Sequence, residues 1–231
     1  MQIWRGAPIN QSLSIIVVAL NEEKKLGLCL ESLNKSPSEL IVIDGGSCDQ
    51  TALIASRFNV HLLSTPANRG LQLATGGAAS KSKWLMFIHG DTVLGPNWQT
   101  HVSRFMNEEE NKKVAGVFRY RNDIHGYTGR FLEQYVALRT FLGLPYGDQG
   151  LLISRHHYEL LGGFKKVPIM EDVDIIRRIG RKNIKVLPAH AMTSGDRYQG
   201  GRFLFRGIKN ILCLGLYFLG VSPHRIVKFY K

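Results

Sequence analysis

Residues 13–20 read LSIIVVAL, an apolar run broken only by Ser14 and rich in β-branched side chains. Eight residues are too few to cross a bilayer, which takes about 20. The run also lacks the polar face of an amphipathic helix. It therefore reads as a strand buried on both faces, the kind found in parallel sheets covered by helices. Three further runs repeat the signal: LIVID at 40–44, VHLLS at 60–64 and WLMFI at 84–88. Between them the spacing turns helical, with Leu26, Leu30 and Leu33 on one face, then Ile54, Ala55 and Phe58 within 49–58. RGLQLATGGAAS is a third helix weakened by its glycines, and a fourth is expected near 96–107. Alternation of this kind predicts an α/β fold with a mainly parallel central sheet and helices on both faces.

The second half is less regular. A strand is expected at 114–120, and then a helix over 129–143 whose aromatic and leucine face reads as core. GDQGLLIS reads as a turn entering a short strand, with His156 and His157 at the surface beyond it. A helix follows from about Glu171 to Gly180, then the strand IKVLP. No repeat or flexible linker divides the chain, so the sequence suggests one domain over 1–192 and a helical extension over 193–231. Composition agrees with a single core: 231 residues, 44% hydrophobic and 21% charged, need no disulfide scaffold. Cys29, Cys48 and Cys213 are odd in number and show no CxxC spacing, which argues for a reducing compartment and against structural zinc. The N-terminus lacks the pattern of a signal peptide, so a cytoplasmic location is expected.

The net charge of +12 is concentrated. From Arg177 onward there are twelve Lys and Arg against one acid, Asp196. The same tail holds an 11-residue apolar run, Ile211 to Val221, again too short to span a bilayer. It reads as a helix packed on the domain, a contact in a homodimer, or an interfacial helix at the inner face of a membrane. Basic charge alone also admits an adaptor role toward membrane or nucleic acid, although nothing here reads a specific nucleic acid.

Open α/β sheets bind ligands at the edge where their parallel strands end. Here the first strand ends in Asn21-Glu22, the second in Asp44 and the fourth in His89-Gly90-Asp91. One acid after a strand is ordinary turn chemistry, and Asp44-Gly45 alone fits that reading. Three polar strand ends together point to a ligand pocket. Neither GxGxxG nor a P-loop is present, so the pocket offers carboxylates, suited to ribose or to metal-bridged phosphates.

SIIVVALNEE, IVIDGGSCDQT, NRGLQLATGGAAS, FIHGDTVL, GDQGLLISRHHYELLGGF and IMEDVD, in this order over about 12–195, resemble the motifs of family 2 glycosyltransferases. The resemblance implies the GT-A nucleotide-diphospho-sugar fold and inverting transfer from a nucleotide-diphospho-sugar donor to an acceptor hydroxyl. The GDQG and MEDVD pair is most similar to small stand-alone bacterial members associated with arsenosugar pathways. It implies that Leu20, Asn21, Glu22, Asp44 and Gly45 line the nucleoside and that Arg69 lies near the phosphates. Asp148, Gln149 and Glu171 would then meet the acceptor, and Asp172 would be the general base. Asp91 matches the last acid of the family's DxD motif and implies a divalent cation, Mn²⁺ or Mg²⁺, with His89 and His190 as further candidate ligands. Only one carboxylate of DxD remains, and an imidazole partner would favour Mn²⁺. The QxxRW signature of processive synthases is absent, Arg197-Tyr198 being only a distant echo.

Each assignment has a plainer counterpart. Asp172 shares a helix face with Ile175, Ile176 and Ile179, which turns it inward; Glu171 and Asp172 could equally complement a helix dipole. A lone histidine such as His190 is often structural. A sugar-1-phosphate nucleotidyltransferase would want a Gly-rich, basic loop after the first strand, which LNEEKK does not supply.

Overall fold

The computed structural model describes residues 12–33, 39–124, 126–195 and 203–230. The N-terminal segment read for a signal peptide and the Arg197-Tyr198 pair lie outside them. β1 (Leu13–Ala19) is buried at every position, as its unbroken run requires. It pairs in parallel with β2 (Glu39–Asp44) and β4 (Trp84–His89), and β2 carries β3 (His61–Ser64), also in parallel. Beyond β4 the directions mix. β7 (Leu151–Ser154) runs antiparallel to β4 and to β6 (Ala115–Asn122). β8 (Ile184–Thr193) is parallel to β6, and β5 (Thr92–Leu94) is antiparallel to β8. The eight-stranded order is β3-β2-β1-β4-β7-β6-β8-β5. The α/β expectation holds, with a parallel first half and a mixed second half. At three residues β5 is too short to show a period, and sequence reading missed it.

Two cores flank the sheet. α1 (Leu26–Leu33), α2 (Thr51–Ala55) and α4 (Trp98–Asn107) cover one face; α3 (Arg69–Ala79), α6 (Arg155–Leu160) and α7 (Glu171–Ile179) cover the other. The glycines that weaken α3 as a helix are what let it lie flush on the sheet. A Cβ on Gly76 would stand 2.2 Å from Ile16, and one on Gly77 would stand 2.6 Å from the Tyr158 hydroxyl. Propensity loses here to close approach. His157, expected at the surface, is buried behind β7 with its pKa lowered first by burial.

α5 (Tyr127–Phe141) corrects a second expectation. Its buried contacts come from Leu132 and Val136 against Tyr120, while Phe131, Tyr135, Leu138 and Phe141 face outward. The basic tail folds into α8 (Phe203–Phe218) and α9 (Pro223–Tyr230). This hairpin buries Cys213 and Ile226 against Ile169, Met170 and Val173. Among the described residues no helix is long and apolar enough to cross a membrane.

Candidate active site

The parallel register sets Ala19 beside Asp44 and Val18 beside His89, so the three polar strand ends share one edge. The loops after β1 and β2 are laced together there. The Asn21 N–H donates to Ser47 Oγ (2.9 Å), Asn21 Oδ1 accepts from the Cys48 N–H (2.9 Å), and the Glu22 N–H donates to Thr51 Oγ1 (2.8 Å). Asn21 takes a left-handed φ of 55°, which Asn tolerates better than most residues. This leaves Leu20 40% exposed at the rim, where an apolar side chain can pack against a planar base.

Asp44 and Gly45 do something else. Asp44 is 5% exposed, and its carboxylate accepts from the Gly46 N–H (3.1 Å), the Ser47 N–H (3.1 Å) and Ser47 Oγ (2.5 Å). These three donors make Asp44 hold the loop in shape, and a carboxylate with about four acceptor positions keeps room for a further donor. The space a side chain at Gly45 would take belongs to the Gln72 amide, 3.0 Å away. From α3 that amide donates to the carbonyls of Ala19 (2.9 Å) and Ile43 (3.0 Å), tying the ends of β1 and β2. Gly45 is therefore a packing glycine.

The three acids of MEDVD have three fates. Glu171 is fully buried and forms an ion pair with Arg69 at the start of α3. Burial alone would lower the Arg69 pKa, but Glu171 and Asp172 outweigh it and keep the guanidinium protonated. An acceptor cannot reach Glu171, and Arg69 turns its Nε inward to meet it. Asp174 is buried among Lys165 (2.6 Å), Arg178 (2.5 Å) and the Tyr217 hydroxyl (3.3 Å) of α8. Asp172 accepts backbone N–H groups, from Gly147 (3.2 Å) and Val173 (2.8 Å), and it lines a cavity with His89, Tyr146 and Gly147. It alone of the three enters no ion pair among the described residues.

The GDQG turn forms the wall opposite. A Cβ on Gly147 would stand 2.6 Å from His89 Nε2, so only glycine lets the turn close on the imidazole. Gln149, read as an acceptor contact, is buried; it donates to the Phe118 carbonyl (3.0 Å) and accepts from Thr140 Oγ1 (2.8 Å). Asp148 remains partly exposed but is held by Arg139 through both oxygens, at 2.8 and 3.0 Å. Arg139 stacks 3.9 Å over the Tyr146 ring. The Tyr146 hydroxyl is buried without a hydrogen-bond partner among the described residues. Burial and the nearby Asp172 push its pKa up to about 12, against the opposing pull of Arg139. Sequence reading missed Tyr146 and Arg139; an aromatic directly before GDQG was the available signal for the first.

The proposed metal ligands do not converge. Asp91 is 8% exposed on the α1 side. There its carboxylate and that of Glu22 add to burial in pushing the Cys29 thiol up. His89 faces the cavity on the α3 and α7 side. His190 lies inside β8, with its backbone against Gly95 and Arg119, and burial followed by Arg121 and Arg119 holds its pKa down. It sits away from Asp91, which neighbours Ser194 instead. Among the described residues no three His, Cys, Asp or Glu gather where a metal could sit. One carboxylate at the DxD position fits a cation carried mainly by substrate phosphates and water, and does not fit an all-protein cage. Lys25, donating to Ser194 Oγ, brings positive charge to the same place.

The glycosyl transferase family 2 model matches residues 14–160, the stretch that carries this edge. The chain belongs to that family. Among relatives of the family 2 chain, a PGL/p-HBAD biosynthesis glycosyltransferase of Mycobacterium tuberculosis is 32% identical over 114 residues, 42% of each protein. The O-antigen chain rhamnosyltransferase of Salmonella anatum is 23% identical, covering 77% of this chain and 54% of that protein. The chain thus spans about half the length of the curated relatives it matches. Among solved structures, glucosyl-3-phosphoglycerate synthase of M. tuberculosis with Mn²⁺, UDP and glucosyl-3-phosphoglycerate superposes with a TM-score of 0.64. It is 23% identical and covers 92% of this chain and 81% of its own. S. aureus TarS with UDP-GlcNAc gives 0.61 at 16% identity, covering 79% and 59%. These likenesses establish the fold, which is that of the GT-A transferases.

Proposed function

We propose that this family 2 chain is an inverting glycosyltransferase that moves a sugar from a nucleotide-diphospho-sugar to an acceptor hydroxyl, with Asp172 as general base. The observation that carries the reading is the fate of MEDVD: cations take two of its acids, and the third faces the cavity with only backbone donors on it. In the transfer the acceptor oxygen attacks the anomeric carbon while the bond to the diphosphate breaks, and the hydroxyl proton passes to Asp172. Leu20, Asn21 and Glu22 form the nucleoside rim. Arg69 and Lys25 contribute positive charge toward the phosphates, and Asp91 is the protein ligand of a divalent cation, Mn²⁺ or Mg²⁺. When bound, such a cation stabilises the departing diphosphate. Asp148, Arg139 and Tyr146 form the acceptor side. The UDP and Mn²⁺ bound by glucosyl-3-phosphoglycerate synthase support a donor of this class.

The test is a thermal-shift series with UDP, GDP, CDP and dTDP, with and without Mn²⁺ or Mg²⁺, since a ligand of the native state raises the melting temperature by mass action. One diphosphate should stabilise in a cation-dependent way, and Asp91→Ala should remove the cation dependence. The matching nucleotide-sugar should then donate to a panel of hydroxyl acceptors, arsenosugar precursors included. Indifference to every nucleotide in both conditions would overturn the assignment.

A further inference from the structure

Two helices turn apolar sides to solvent. On α5, Tyr127, Phe131, Tyr135 and Leu138 recur every three or four residues, with Phe131 58% exposed and Phe141, at the helix end, 71% exposed. On α8, Ile208, Ile211 and Leu212 do the same, and Leu219 continues them beyond the helix. The two stripes end at a shared basic edge. The Arg181 guanidinium lies 5.2 Å from the Phe141 ring centre, and that of Arg177, in the last turn of α7, lies 4.9 Å from Phe218. Large exposed apolar patches rimmed by polar residues mark interaction sites. From Arg177 onward the chain carries twelve Lys and Arg against one acid.

We propose that the outward sides of α5 and α8 form one interfacial surface that docks on an anionic lipid bilayer. The apolar side chains would enter the acyl boundary while the arginines and lysines meet the headgroups. Charge selects this occupant. A second copy meeting the surface across a two-fold axis would press one basic edge against another. A nucleic acid would match the charge but leave the aromatic and leucine stripes uncovered. A bilayer satisfies both features at once. Tyr146 links the surface to the catalytic cavity, because it stacks under Arg139 of α5 and packs beside the apolar residues of the α8–α9 hairpin. Docking therefore brings the cavity wall to the bilayer, whether or not Asp172 is the base.

The full chain is tested by flotation with vesicles of phosphatidylcholine alone or with a substantial fraction of phosphatidylglycerol. Binding should favour the anionic vesicles by about tenfold or more at low salt and weaken as salt rises. Ile211→Ser with Leu212→Ser on α8, and separately Phe131→Ser on α5, should each cut binding roughly tenfold. These sites are exposed, so melting temperatures should stay close to the parent's. As an independent readout, Phe131→Trp should show a blue-shifted emission on addition of anionic vesicles. Equal binding to neutral vesicles, no flotation at low salt, or loss of a dimer in the serine variants without loss of flotation would each overturn the proposal. Flotation unaffected by either set of serine variants would overturn it as well, leaving charge alone as the cause.

Discussion

The two halves of the sheet are finished to different degrees. In the half proposed to hold the donor, up to the end of β5, the loops at the strand ends brace one another: Asp44 is bonded within its own turn, Asn21 clasps the next loop, and Gln72 ties two strands. In the second half lie all six buried side-chain polar atoms that lack a partner among the described residues, Asn111 Oδ1 being the earliest. Arg139 Nε, Tyr146 Oη and Glu171 Oε2, all close to the cavity, are among them. A buried polar atom without a partner costs roughly 1–3 kcal/mol. The edge of the first half is thus braced by its own loops, whereas the second half keeps buried polar atoms without such partners, three of them close to the cavity. Substitutions in the first half should therefore read out in stability, and those beside the cavity in activity.

The sharpest way to break this contrast is Asp172→Asn. Transfer should fall by ~10²–10⁴-fold, with donor affinity and melting temperature nearly unchanged, because the amide oxygen can still accept from Gly147. Transfer at the parental rate would remove Asp172 as base. Next in size is Gly76→Ala in the donor half. Its methyl would press on Ile16 in the buried central strand and should cost about 3 kcal/mol. That is a loss of roughly 6–12 °C in melting temperature, and a shift under 2 °C would show that α3 is not flush on the sheet. Tyr146→Phe should behave in the opposite sense. Removing a buried hydroxyl without a partner should leave the melting temperature level or slightly higher, while transfer drops roughly five- to tenfold, about one hydrogen bond's worth. A parallel loss of stability would mean the hydroxyl is already bonded.

The smallest effect is with pH. His157 and His190 have pKa values held below 6.5 by burial and neighbouring positive charge. On acidification the unfolded chain therefore takes up protons first, and stability declines as pH falls below about 6.5. Melting curves between pH 7.5 and 5 should show the decline, and His190→Gln should flatten it. No change in slope would mean that His190 titrates alike in both states.

The donor half was legible because its signals are local. LSIIVVAL, LIVID and WLMFI announce buried strands, and the acids after them announce an edge. Their individual roles were not legible. Asp44 and Gly45 look like ligand residues in one dimension, and only the turn's own bonds to Asp44 and the arrival of Gln72 from α3 show that they also build the loop. Glu171 and Asp172 are neighbours of similar chemistry, and which one is consumed depends on Arg69, 102 positions away. His190 reads as a strand-end ligand because Pro188 looks like a stop, whereas β8 runs on through it to Thr193. The aromatic face of α5 misled for the opposite reason: periodicity reveals an apolar stripe but not whether the protein itself covers it.

Met170 carries one last consequence. It precedes the acids of α7 with φ at 67°, a left-handed turn that a long side chain seldom adopts. Its side chain is nearly fully buried beside Cys213 and Ile226 of the C-terminal hairpin. The hairpin thus packs against the turn that leads into Asp172, the proposed general base. Cutting the chain at 192, where its character changes, would uncover Ile169, Met170 and Val173 at the start of α7. What reads as an appendage is part of the packing that seats α7.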